Sequence, residues 1–170
     1  MITPSYVRTM AAYNAEMNRR LYDAADRLTE DERRRDRAGF WHSIHGTLAH
    51  ILWGDGQWMS RFDNWPRPAN PIKQSDQIVE DWAELHAARN KADADISHWA
   101  DKVDQAWLDG DMTWFSGAAG REVTAQKRLL VTHFFNHQTH HRGQAHAMIT
   151  AAGEKTDDTD LFLVVPQMIA

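Results

Sequence analysis

Residues 134–146 read FFNHQTHHRGQAH and hold four of the ten histidines of a 170-residue chain. Through this stretch Leu130, Phe134, His137, His141, Gln144 and Met148 recur at steps of 4, 3, 4, 3 and 4, the period of one helix face. The spacing predicts a helix that opens at Thr124 and stops at Gly153, a residue suited to a helix C-terminus. Residues four apart are displaced by only about 40° around the axis and about 6 Å along it, so His137 and His141 can converge on one ion. His133 is also four before His137, whereas His140 lies about 100° off the line and His146 belongs to another face. The zinc-protease motif uses the same spacing, but the glutamate beside its first histidine has no counterpart here. An unpaired imidazole is costly to bury in an apolar line. Gly143, in a helix where glycine costs about 1 kcal/mol against alanine, implies that another helix or loop comes close.

Working outward, Tyr6, Met10, Tyr13, Met17, Leu21, Ala24 and Leu28 give a first helix over 4–28, with Pro4 in its first turn. The charged run TEDERRRDR, 29–37, has no apolar stripe and reads as a solvated connection with one helical turn. A second helix runs from about Trp41 to Phe62, with Ile44, Leu48, Ile51 and Leu52 on one side and Thr47, His50, Gly54 and Gln57 on the next. WPRPANP, 65–71, holds three of the five prolines and marks a crossing. Ser75 then serves as N-cap of a third helix, which carries Ile78, Trp82, Leu85, Ala92, Ile96 and Trp99 and ends near Lys102. The segment 104–122, with three glycines and no helical period, suits a long loop or short hairpin. The apolar run at 161–165 is expected to pack over one end of the domain. The fold class is therefore all-α: one domain over 1–170, a four-helix bundle interrupted between its third and fourth helices.

A chain of this length can bury its own core, which makes a metal functional rather than structural. With 19 basic and 24 acidic residues the net charge is −5, and no basic block suits a phosphate backbone, so nucleic acid is not an expected partner. The absence of cysteine removes thiolate ligands, thiol nucleophiles and disulfides, leaving imidazole and carboxylate. No signal-peptide core or long apolar run appears, so no membrane association is expected and the default location is cytoplasmic. The eight tryptophans, spread from 41 to 114, read as core and pocket-wall residues.

A third nitrogen is available from His50, set among small and apolar residues in GTLAHILW, 46–53. Three neutral imidazoles plus water form an open site of the catalytic kind. The combination of HFFNHQTHHRGQ at 133–144, GTLAHILWGD at 46–55 and TDLF at 159–162 resembles the DinB (DinB/YfiT-like) superfamily of bacterial four-helix-bundle metalloproteins. The resemblance covers the element order of essentially the whole chain. It implies a divalent metal held by one histidine of the second helix and two histidines four apart before RGQ, by position His50, His137 and His141. It also implies frequent homodimers, and branches that include thiol-dependent transferases and isomerases.

The expected function is metal-dependent activation of a water or thiol, for transfer to or hydrolysis of a small electrophile. Zinc and nickel lead as metals, with iron and copper also compatible with three imidazoles. The residues do not choose between thiol and water; the resemblance implies a low-molecular-weight thiol as one cosubstrate, with which the absence of cysteine is consistent. One rival is a non-catalytic metal or small-ligand binding protein of stress response. A second makes the histidines structural in an interaction domain. Of the remaining histidines, His42, His45, His86 and His98 read as turn or solvent residues. Asn136, Arg142 and Gln144 are candidates to orient the ligands, as are His133 and His140. Asp55 points about 140° away from His50 and is not taken as a ligand.

Overall fold

The computed structural model describes residues 2–117 and 119–165, and they form a mostly helical protein with one small two-stranded sheet. Helix α1 spans Pro4–Asp26 and starts where the Thr3 side chain accepts from the Tyr6 amide at 3.2 Å, with Pro4 in the first turn. The short α2, Glu30–Arg34, is the single turn expected in the charged run. Helix α3, Ile44–Phe62, is capped by Ser43, and α4, Trp82–Lys102, by Asp81. The cap of α4 is a correction: Ser75 lies in a 3₁₀ segment, Ile72–Gln77, and is fully buried.

The stretch at 104–122 resolves into α5, Gln105–Asp109, and an antiparallel hairpin of β1, Asp111–Ser116, and β2, Arg121–Gln126. Thr124 therefore belongs to a strand, paired with Thr113, and α6 opens only at Lys127 and runs to Ala151. A last turn, α7, spans Leu161–Val164. Its Leu161, Phe162 and Leu163 are exposed and only Val165 is buried, so the apolar run does not pack as expected. The end of the expected tail, 166–170, lies outside the described residues.

Among the long helices, α1 packs on α4 and α6, and α3 packs on α6 and α4. Their buried apolar residues fall into two clusters. One gathers Val7, Met59, Phe62, Ile96, Trp99, Leu130, Phe134 and Phe135. The other gathers Leu21, Tyr22, Ile44, Leu48, Ile51, Leu85 and Ile149. Between them in each long helix's sequence lies a buried polar layer: Asn14 and Asn18 of α1, Asp55 of α3, Arg89 and Asp93 of α4, and Gln138 and Arg142 of α6. Arg89 donates to Asp55 Oδ2 at 2.5 Å and to Asp93 Oδ1 at 2.7 Å, while Asn18 donates to Asp93 Oδ1 at 2.9 Å. A guanidinium so deep is tolerated because two carboxylates meet it. This layer also corrects the α1 stripe: Val7, Ala11, Asn14 and Asn18 are buried where Tyr6, Met10 and Tyr13 are only partly so.

Candidate metal centre

At the level of the polar layer, α3 presents His50 to α6, and α6 presents His137 and His141, one turn apart, back to it. One ring nitrogen from each of the three lies within 4.8 Å of the others, so the trio could hold a metal ion. His50 Nε2 stands 3.3 Å from His137 Nε2. Two ligand nitrogens bound to zinc at about 2.0–2.1 Å and the tetrahedral angle are about 3.3 Å apart, so the donor spacing fits such an ion. The His141 ring is centred 4.5 Å from that of His50 and 4.6 Å from that of His137.

The outward nitrogens decide which tautomer each ring adopts. His50 Nδ1 lies 2.7 Å from Ser75 Oγ, and His141 Nδ1 lies 2.8 Å from Gln144 Oε1. An amide oxygen only accepts, so His141 carries its proton on Nδ1 and leaves the Nε2 lone pair free. The hydroxyl of Ser75 can accept from His50 in the same way. Gln144 is itself 3.4 Å from His140 Nε2, to which its amide nitrogen donates, so His140 steadies the orienting residue from the surface. His137 is placed by packing instead: a Cβ at Gly54 would lie 2.7 Å from its Cε1, so this imidazole occupies the space that glycine leaves on α3. Trp41 stacks on His50 with ring centres 4.0 Å apart, and Trp53 lies nearly parallel to it at 5.7 Å.

Burial strips water from these rings and holds His50 and His137 at about 3, well below the ordinary imidazole range, with repulsion from neighbouring imidazoles acting in the same direction. Burial lowers His141 as well. All three are therefore neutral near pH 7, the form a metal requires.

The other sequence candidates fall elsewhere. Asp55 turns away to Arg89 and to Gln138, whose amide donates to it at 2.7 Å. His133 is exposed against Trp58, 5.2 Å between ring centres. Asn136 and His98 are exposed. Arg142 is buried and bonded to Asn14 of α1, away from the trio. His42 is exposed, but His45 is buried with Nε2 2.8 Å from the Val79 carbonyl oxygen, and His86 is half-buried, 5.0 Å from the Tyr22 ring. Among the described residues no other segment comes within 4 Å of a Cβ at Gly143, so the close approach inferred there is found at Gly54 instead. Ser75 was missed as a partner of His50, since a serine ahead of a helical period has the pattern of an N-cap.

Fold and site together define a mostly helical protein with a three-imidazole candidate metal centre. The family model of the DinB family matches residues 1–166, and the chain belongs to that family. No curated protein matches it in sequence. Among the described residues no helix is long and apolar enough to cross a membrane.

Proposed function

We propose that the chain is a metal-dependent enzyme acting on a small electrophile, with one divalent transition ion held by His50, His137 and His141. The observation that carries the reading is the convergence of three neutral ring nitrogens within 4.8 Å, two of the rings anchored through their outward nitrogens. The ion, when bound, would supply the Lewis acidity that makes a water or thiol nucleophilic near pH 7. Ser75 and Gln144 hold their rings so that Nε2 faces inward, and Trp41 and Trp53 shield His50 from solvent. The pairing of α1 with α4 and α6, and of α3 with the same two, supports a four-helix bundle in which facing helices build the site. Three imidazoles favour zinc or nickel and also accept iron or copper.

The chain has no cysteine, so sulfur chemistry would use an external low-molecular-weight thiol. We favour transfer from such a thiol over hydrolysis, in a cytoplasmic homodimer of this single domain. A second reading, a non-catalytic metal-binding protein, is favoured by one feature: among the described residues no carboxylate hydrogen-bonds any of the three imidazoles, which leaves no evident general base.

Metal content and turnover separate these readings. The purified chain should carry close to one divalent ion, lost in His137→Ala and His141→Ala and retained in His98→Ala. Equal content in all three would remove the site. In a cobalt-substituted form, a thiol-induced charge-transfer band together with thiol-dependent conversion of an electrophile supports transfer. Conversion without thiol, abolished by His141→Ala, supports hydrolysis. Metal binding with no turnover across a broad electrophile panel supports the binding protein.

A further inference from the structure

A cleft of about 240 Å³ opens on a different face of α6 from the imidazole trio, between α6, α1 and the segment around Thr156 and Thr159. Its walls are the side chains of Tyr13, Met17 and Leu21 from α1 and of Thr139 and Arg142 from α6, with Gly143 between them. Two independent observations mark it as a place for something the described residues do not provide.

The first is charge. Arg142 is 6% exposed, and no carboxylate of the described residues pairs with it. Of its five N–H groups, one meets the Asn14 side-chain oxygen and one meets Thr139 Oγ1 at a long 3.2 Å. By contrast the other buried arginine, Arg89, has two carboxylates. Asp55 and Asp93 act on Arg142 only across the polar layer, without direct contact, so its charge is balanced at a distance while its remaining N–H groups lack a partner that a ligand's carboxylate would supply. Other polar groups of the cleft are already engaged. Arg20 pairs with Glu16 at 2.8 Å, His146 meets Thr156 Oγ1 at 2.6 Å, and the Tyr13 hydroxyl donates to the Thr159 carbonyl at 2.7 Å.

The second is space. Glycine inside a helix costs about 1 kcal/mol against alanine and is usually explained by a neighbour packed on its backbone. Gly143 has no such neighbour among the described residues: beyond its own turn of helix and its chain neighbours, a Cβ there would meet none of their atoms within 4 Å. It sits next to Arg142 and lines the same cleft, leaving the backbone open beside a guanidinium that has no direct carboxylate partner.

We propose that this cleft binds a small monocarboxylate with an apolar body, its carboxylate on Arg142 and its body over Met17, Leu21 and the Tyr13 ring, with Gly143 leaving room for it. The unmet N–H groups of Arg142 suit the two oxygens of a single carboxylate, and the volume lies below the roughly 300 Å³ at which drug-sized pockets begin, which favours a small ligand. The site is separate from the imidazole trio, and its occupancy does not depend on a metal.

The test titrates the full chain with benzoate and with hexanoate, following thermal unfolding and amide NMR shifts. Saturable binding of both is expected, unchanged by chelator and by His141→Ala, and absent with methyl benzoate. Gly143→Leu, which adds a side chain where the fold leaves space, should weaken binding by about tenfold or more. Arg142→Gln should do the same, and if that variant does not fold, Gly143→Leu alone carries the test. The proposal is overturned if neither carboxylate saturates, if chelator or His141→Ala abolishes binding, or if Gly143→Leu binds as wild type does. Tighter binding of inorganic phosphate than of benzoate would overturn the ligand class. A change of subunit number in Gly143→Leu by light scattering, with benzoate binding intact, would assign the glycine to an interface and overturn it too.

Discussion

Gly54→Ala should weaken metal binding without removing a ligand. The added Cβ would stand 2.7 Å from His137 Cε1 and 3.3 Å from its Nδ1, whereas ordinary contact begins at 3.4 Å. The ring must therefore retreat by about 0.7 Å, because α3 and α6 are packed against each other and the ring is the softer element. Any such swing carries Nε2 away from its place 3.3 Å from His50 Nε2. Metal sites tolerate deviations of about 0.2 Å in their bonds, so the displacement is several times what a fixed site absorbs. A loss of about 10- to 100-fold in affinity is expected, the range seen when an orienting partner is removed. The metal-free fold should not suffer comparably, because alanine favours the helix by about 1 kcal/mol over glycine and offsets part of the crowding. Competition of the variant against a zinc chelator gives the affinity, and thermal unfolding of both metal-free proteins gives the control. Wild-type affinity in Gly54→Ala would refute the argument, since His137 would then be free to bind from elsewhere or would not be a ligand.

Ser75→Ala removes the group opposite His50 Nδ1 and should cost about tenfold or more in metal affinity with little change in fold, read by the same competition. In the metal-free protein His50 and His137 stay unprotonated down to about 3, whereas the unfolded chain protonates its histidines near 6.5. The unfolded state then binds more protons between those values, so their contribution is full above about pH 6.5 and is lost as pH falls toward 3, at up to about 2.7 kcal/mol per pH unit for the two together. Denaturant unfolding of wild type and His137→Gln from pH 7 to 4 should show the shallower slope in the variant; equal slopes would contradict the burial argument. Arg89→Met leaves Asp55 and Asp93 buried without their shared cation and should destabilise the fold by about 3–5 kcal/mol, measured by urea unfolding.

Helical period made the long helices and two of the three candidate ligands legible in the sequence. His137 and His141 share a face because 3.6 residues make a turn, and that holds whatever packs on the helix. His50 needed the further reasoning that a pair wants a third ligand, together with the HHRGQ resemblance. The polar layer stayed hidden because Asn14, Asn18, Arg89 and Asp93 are residue types that normally face water, and only their mutual hydrogen bonds permit burial. A trace of it was present in the four-residue spacings 14/18 and 89/93. Ser75 and Asp81 show the limit of capping signals: both precede the third long helix, and the choice between them was made by tertiary structure, since the Ser75 hydroxyl is taken up by His50. Gly143 and Gly54 show the same limit for glycine. Composition says that something needs room, but not whether the neighbour belongs to the chain.

The layered interior also predicts how the protein would respond to losing an ion bound at the trio. One apolar cluster draws on Val7, Ile96 and Phe134 and the other on Leu48, Leu85 and Ile149, and neither includes a histidine of the trio. The polar layer between them is bonded within itself through Arg89, Asp55, Asp93 and Gln138. Structural zinc sites, by contrast, hold together small domains that lack such a core and unfold without metal. Chelation should therefore leave the far-UV circular dichroism intact. It should lower stability only by what binding had added, about 4 kcal/mol for a metal at a thousand times its Kd. A melting curve in excess chelator should remain cooperative and regain the higher midpoint when zinc is restored. Cooperative unfolding at 25 °C on chelation alone would make the ion part of the fold and would remove the main physical reason for reading the site as chemical.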